Sequence, residues 1–159
     1  MTVRTLILLR HAKAADPDDY ATDIERPLTA RGHRDAAAAG DWLRSAGLKP
    51  DAVLCSTAVR TRETLAELDV PDVPVVYEQR IYTGPAFDTL ELVQQVEATV
   101  ETLLLVGHNP TISDLSDELA PRALTDHGLA TSGIAVHRFD GSWSGLAAAP
   151  LVDQHTARG

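Results

Sequence analysis

Three separate stretches of the 159-residue chain carry side chains suited to one chemistry. Arg10 and His11 end the apolar run in "LILLRHAKA", Arg60 stands in "CSTAVR", and His108 stands in "LLLVGHNP". Arginine presents a planar fork of donors that matches the oxygens of a phosphoryl group. A neutral histidine can attack phosphorus, and a protonated one can donate to a phosphoryl oxygen. Two of each at one point would make a site for a dianion. Phosphoryl transfer rests mainly on positioning and charge stabilisation, so a basic pocket can suffice without a metal. Singly, each piece has a plainer reading. A strand-end Arg-His pair is most often a solvated loop start, "GHNP" can simply cap a helix, and Arg60 alone would sit on a helix surface. Whether the four meet depends on the elements that carry them.

Residues 3–9, with the continuous apolar run Leu6 to Leu9 stopped by charge at Arg10, predict a buried strand. The polar loop "DPDDYATDIERP" follows. Thr29 then precedes an alanine-rich amphipathic segment, with Thr29 expected as the helix cap and Gly47 as its stop. Further strands are expected at 52–55, from Val75 and Val76, and at 102–106. Helices are expected at 58–68, 87–99 and 112–119, the last with Asn109 as N-cap and Pro110 at the first helical position. Residues 133–139 and 143–148 read as two closing strands joined by the turn "DGS". This alternation predicts an α/β fold, a three-layer α/β/α sandwich around a mostly parallel sheet. In such sheets ligands bind beyond the carboxyl ends of the strands. Arg10-His11, Arg60 and Gly107-His108 all follow such ends, so the topology aims them at one edge. The amides after Asn109-Pro110 would add partial positive charge there.

The length suits one domain, expected over 1–150, with "LVDQHTARG" at 151–159 expected as a flexible C-terminal tail. With 14 Lys+Arg against 23 Asp+Glu the formal net charge is −9, which disfavours nucleic acid as a partner and makes a local basic cluster more informative. No apolar stretch approaches a membrane span, and the N-terminal run is too short for a signal-peptide core, so no membrane association and a cytoplasmic location are expected. The single cysteine, Cys55, cannot form an internal disulfide.

Other chemistries fit less well. A thiol phosphatase built on Cys55 is disfavoured because Arg60 lies one residue too close for the phosphate loop such enzymes use. Cys55 also ends an apolar strand, which predicts a buried core thiol. A metallohydrolase is disfavoured because the six histidines form no His-Glu-x-x-His pair and no cysteine-rich ligand set exists. His33, His127, His137 and His155 read as structural or solvated. No metal and no cofactor are expected. A phosphate-binding module without catalysis is the third class.

The ordered set "LILLRHAKA", "RPLTARG", "CSTAVRTRET", "LLLVGHNP" and "TSGIAVHRF" resembles the histidine phosphatase superfamily, which has the phosphoglycerate-mutase-like fold. Within it the chain is most similar to the short branch of SixA-type phosphohistidine phosphatases. The resemblance runs from Val3 to Phe139. It implies that His11 is a nucleophile that becomes transiently phosphorylated, with one ring nitrogen fixed by a backbone contact. It implies that Arg10 and Arg60 hold the phosphoryl oxygens and that His108 completes the pocket. Arg26, Leu28, Thr29 and Gly32 in "RPLTARG" match a landmark that starts the first helix, with Arg26 near the site. Ser132 in "TSG" is either near the pocket or a plain strand entry. Larger members use a carboxylate as proton donor; Glu78 and Asp88 lie in the corresponding stretch, and either can instead be a loop charge. The expected substrate is a phosphohistidine-bearing protein, since the chain has no obvious room for a large lid. The alternative is a small phosphorylated molecule.

Overall fold

The computed structural model describes residues 2–124 and 128–159. Six strands form one sheet: β1 (Val3–Arg10), β2 (Ala52–Ser56), β3 (Val75–Glu78), β4 (Thr102–Gly107), β5 (Gly133–Asp140) and β6 (Leu151–Thr156), in the order β3-β2-β4-β1-β5-β6. The β3-β2-β4-β1 part is parallel, and β5 and β6 are antiparallel additions. Five α-helices accompany it: α1 (Ala30–Ser45), α2 (Val59–Leu68), α3 (Gln79–Thr83), α4 (Ala86–Gln94) and α5 (Thr111–Leu119).

The central strands β1 and β4 are apolar on both faces because helices cover both. Along β1, Leu6 and Leu8 join the core beneath α4 and α5, while Ile7 and Leu9 join the core beneath α1 and α2. Strand β4 repeats the alternation, with Leu103 and Leu105 on the first face and Leu104 and Val106 on the second. The two-residue period thus splits one continuous apolar run between two cores, giving the expected three layers.

Thr29 caps α1 as expected, its hydroxyl accepting from Gly32 N at 3.0 Å. Gly32 is a matter of space: a Cβ there would overlap the Lys13 carbonyl. The first turn of α1 therefore rides directly on the chain that leaves His11.

Several expectations are corrected. Within the expected tail at 151–159, Leu151–Thr156 form strand β6, paired antiparallel with β5. None of its residues is fully buried, so its polar composition is that of a sheet edge and resembles a frayed end. The expected strand at 143–148 is instead a 3-10 turn, Trp143–Gly145, which seats the buried Trp143 with its indole Nε1 donating to Val100 O at 2.7 Å. The expected helix at 87–99 ends at Gln94, and the chain turns back so that Val96 and Val100 pack on the core. Helix α3 has only five residues, too few to carry a periodic signal. Asn109 does not cap α5, for which Pro110 occupies the cap position after a cis Asn109–Pro110 bond. The Asn109 amide instead donates to Leu129 O at 2.7 Å and accepts from Ser113 Oγ at 2.6 Å, tying α5 to the approach to β5.

Candidate active site

Parallel pairing sets the positions. Arg10 at the end of β1 lies opposite Gly107 at the end of β4, so the next residues, His11 and His108, leave adjacent strand ends. His11 N donates to Gly107 O at 3.1 Å, and the two imidazole centroids are 5.3 Å apart. Strand β2 is the other neighbour of β4 and ends at Ser56, and Arg60 sits in the first turn of α2. His11, His108 and Arg60 are buried, at 8%, 8% and 6% exposure, which is unusual for such polar groups without a function or a full set of partners.

The His11 Nδ1 lies 2.7 Å from Ala12 O. A carbonyl oxygen only accepts, so Nδ1 carries the hydrogen and Nε2 keeps its lone pair. Burial pushes the His11 pKa down to about 4; the Ala12 contact opposes this, and the charges of Arg60, Arg10 and Arg26 reinforce it. At neutral pH His11 is therefore uncharged and of defined tautomer. The His108 Nε2 lies 2.7 Å from Ser56 Oγ. Burial, then the neighbouring His11 and Arg60, push the His108 pKa down to about 3.

Arg10 Nη1 donates to Leu129 O at 3.1 Å, and burial lowers the Arg10 pKa. Four sheltered polar atoms here have no protein partner: Arg10 Nε, Arg60 Nε, His108 Nδ1 and Ser132 Oγ. Buried polar atoms are nearly always paired, and unpaired ones collect where function demands them. Ser132 is both a strand entry and a neighbour of His11. It begins the approach to β5 with φ +58°, and its N donates to His11 O at 3.1 Å.

The carboxylate that touches this group is one that sequence reasoning missed. Asp23 lies on a 3-10 turn, Asp23–Glu25, inside the acidic loop. Its Oδ2 accepts from Arg60 Nη2 at 2.8 Å and from Tyr82 Oη at 2.7 Å, and its Oδ1 accepts from Arg26 Nη1 at 2.8 Å. Burial alone would raise the Asp23 pKa, but these hydrogen bonds from Tyr82, Arg26 and Arg60 hold it well below the usual carboxylate range. The Tyr82 ring meets His108 edge-on at 5.4 Å. Arg26 also donates through Nε to Ala15 O at 2.9 Å, which places it by the site. Of the two carboxylates expected from the sequence, Asp88 pairs with Arg80 at 3.5 Å. Glu78 lines a cleft of about 530 Å³ with Leu92, Val96 and Val100, and none of the four central residues lines that cleft. Ser56 was within reach of the strand-end argument, since it closes β2 at the same edge. Nothing in the local pattern singles out Asp23 or Tyr82.

The other described histidines have partners elsewhere in the fold. His137 is fully buried, with Nε2 2.7 Å from Ser116 Oγ and Nδ1 2.8 Å from Ala149 O. His33 pairs with Glu67 at 3.1 Å, and His155 stacks on Trp42 at 4.8 Å. His127 lies outside the described residues. Burial pushes the Cys55 thiol up to about 12, which leaves no thiolate at neutral pH. Among the described residues no group of histidine, cysteine and carboxylate side chains is arranged to hold a metal, and no helix is long and apolar enough to cross a membrane.

The model of the histidine phosphatase superfamily (branch 1) matches residues 6–82. An uncharacterised Mycobacterium tuberculosis protein is 44% identical over 160 residues, covering 94% of this chain and 100% of that one. Phosphohistidine phosphatase SixA of Escherichia coli K12 is 30% identical over 145 residues, covering 88% of each chain. The solved structure of a candidate SixA phosphohistidine phosphatase from Nakamurella multipartitia superposes with a TM-score of 0.89 at 36% identity, covering 99% of this chain and 98% of that one. With a matching family model, a matching fold and relatives that span nearly the whole chain, this protein belongs to the histidine phosphatase superfamily.

Proposed function

We propose that the protein is a metal-independent phosphatase that removes phosphate from phosphohistidine on a protein, through a covalent intermediate on His11. The observation that carries this reading is the state of His11: Nδ1 is engaged by Ala12 O, leaving Nε2 as a free lone pair beside Arg10, Arg60 and His108.

In the first step the Nε2 lone pair attacks phosphorus in line. The bond from phosphorus to the departing imidazole breaks, and that imidazole leaves with the electron pair and takes a proton from solvent. Arg10, Arg60 and His108 stabilise the charge on the phosphoryl oxygens. The Ala12 carbonyl stabilises the cationic phosphoimidazole through Nδ1–H. In the second step water attacks phosphorus, the phosphorus–Nε2 bond breaks, and phosphate and neutral His11 are released with a proton to solvent. A phosphoramidate has a good leaving group, which fits a site whose nearest carboxylate, Asp23, is held ionised.

Two features support a protein substrate over a small ester. The β1–α1 connection that brings Asp23 to Arg60, residues 11–29, holds no element larger than the three-residue 3-10 turns Pro17–Asp19 and Asp23–Glu25, and α3 has only five residues. Such connections suit phosphate displayed on another surface. The E. coli relative is itself a phosphohistidine phosphatase.

The test is a substrate panel with His11→Ala as control. Quenched turnover should trap phosphate on His11 in an acid-labile, base-stable form, with a phosphohistidine protein hydrolysed faster than small phosphate esters. Efficient ester hydrolysis with no action on phosphohistidine would transfer the reading to small phosphorylated molecules. Oxyanion binding with no turnover would make the protein a binding module.

A further inference from the structure

Arg60 is the phosphate-facing cation whose orientation is set by another side chain. Its Nη1 donates to Asp23 O and its Nη2 to Asp23 Oδ2, each at 2.8 Å. One residue thus occupies the end of the guanidinium with both its backbone and its side chain. The Nε atom is left without a protein partner. A guanidinium held by its far end keeps its plane and direction while the Nε edge stays available to an anion.

The same Asp23 carboxylate accepts from Tyr82, whose ring lies edge-on to His108 and beneath the Arg60 guanidinium at 5.8 Å. Asp23 therefore links a loop, the start of α2 and α3 to both the cation and the second histidine. Its bond to Arg26 anchors the third side of the carboxylate. With all three contacts made and its pKa held low, Asp23 has no proton to give at neutral pH. Its contribution has to pass through the groups it holds.

We infer that Asp23 is a positioning residue for phosphoryl transfer, fixing the Arg60 guanidinium and the Tyr82 hydroxyl around the phosphate site. The inference rests on the phosphatase reading above and adds a specific residue to it. The turn that carries Asp23 has no buried residue, so replacing Asp23 leaves the cores intact.

The experiment is a double-mutant cycle of Asp23→Ala and Arg60→Ala, with Asp23→Asn as the conservative variant. Misplacing a catalytic group by about 1 Å costs on the order of a hundredfold, so Asp23→Ala should lower kcat/KM by about that factor, mainly through kcat. Asp23→Asn retains an acceptor for Arg60 and Tyr82 and should lose only about tenfold. In the Arg60→Ala background, Asp23→Ala should cost less than about twofold further, because its main client is gone. A kcat/KM within about twofold of wild type in Asp23→Ala, or losses that multiply in the double variant, would overturn the inference. Inorganic vanadate titrated by calorimetry gives a readout independent of turnover, and Asp23→Ala should weaken its binding about tenfold. Unchanged or tighter vanadate binding would overturn the positioning role. A wild-type protein that binds vanadate but hydrolyses no member of the panel would sink the phosphatase reading, while this binding comparison still decides the role of Asp23.

Discussion

His11 and His137 are both buried histidines, one just past the end of β1 and one within its neighbour β5, and burial lowers the pKa of each. They differ in what their nitrogens touch. His137 sits within β5 with both ring nitrogens engaged, by Ser116 and by Ala149. His11 follows the last residue of β1 with only Nδ1 engaged. A ring satisfied on both sides has nothing left to offer a substrate. One satisfied on a single side keeps a directed lone pair, and the backbone has already chosen which one. Burial and pKa alone do not separate a structural histidine from a reactive one; the count and placement of partners do.

The sharpest way to break this contrast is at Nε2. His11→Ala should reduce turnover by about four orders of magnitude or more and abolish the trapped phosphoenzyme, with little change in thermal stability. His108→Ala should lower kcat by about 10²–10³-fold while the phosphoenzyme still forms slowly, read by single-turnover quench. His137→Ala should do the reverse. It strands the Ser116 hydroxyl and opens a cavity, so chemical denaturation should show a loss of about 2–4 kcal/mol, with kcat of the folded protein within about twofold of wild type.

Acid provides a finer test. Above the ordinary histidine pKa of about 6.5, His11 and His108 are neutral folded or unfolded and contribute no pH dependence. As pH falls below that value the unfolded chain takes up protons that the native site refuses. Stability should decline by about 1.4 kcal/mol per pH unit for each residue, until about pH 4 for His11 and about pH 3 for His108. His11→Ala should therefore flatten the decline between about pH 6.5 and 4, measured by denaturation against pH, and an unchanged slope would refute the lowered His11 pKa. The smallest effect is expected at Cys55: Cys55→Ser should leave kcat within about twofold of wild type, since its thiol is buried and protonated.

Much of the fold was legible because the strongest signals are apolar runs. Strands β1 and β4 stand out by the aliphatic stretches 6–9 and 103–106, which stop at Arg10 and Gly107, and those stops mark the edge where the candidate site lies. Strand β6 was not legible, because an edge strand buries little and its "LVDQHT" looks like a solvated end. Helix α3 was too short to show a period. Asp23 was hidden among Asp16, Asp18, Asp19 and Glu25, chemically alike and in one loop, and only the turn that brings it to Arg60 sets it apart.

The sequence alone determined which residues could do the chemistry and on which strand ends they stand, because residue type and apolar patterning are local properties of the chain. The tertiary structure decided which ring nitrogen of His11 is free, which carboxylate meets Arg60, and which histidine is structural. Those are facts about partners, and the Ala12 carbonyl, the Asp23 carboxylate and the Ser116 hydroxyl acquire their roles only when folding sets them about 3 Å from the groups they serve.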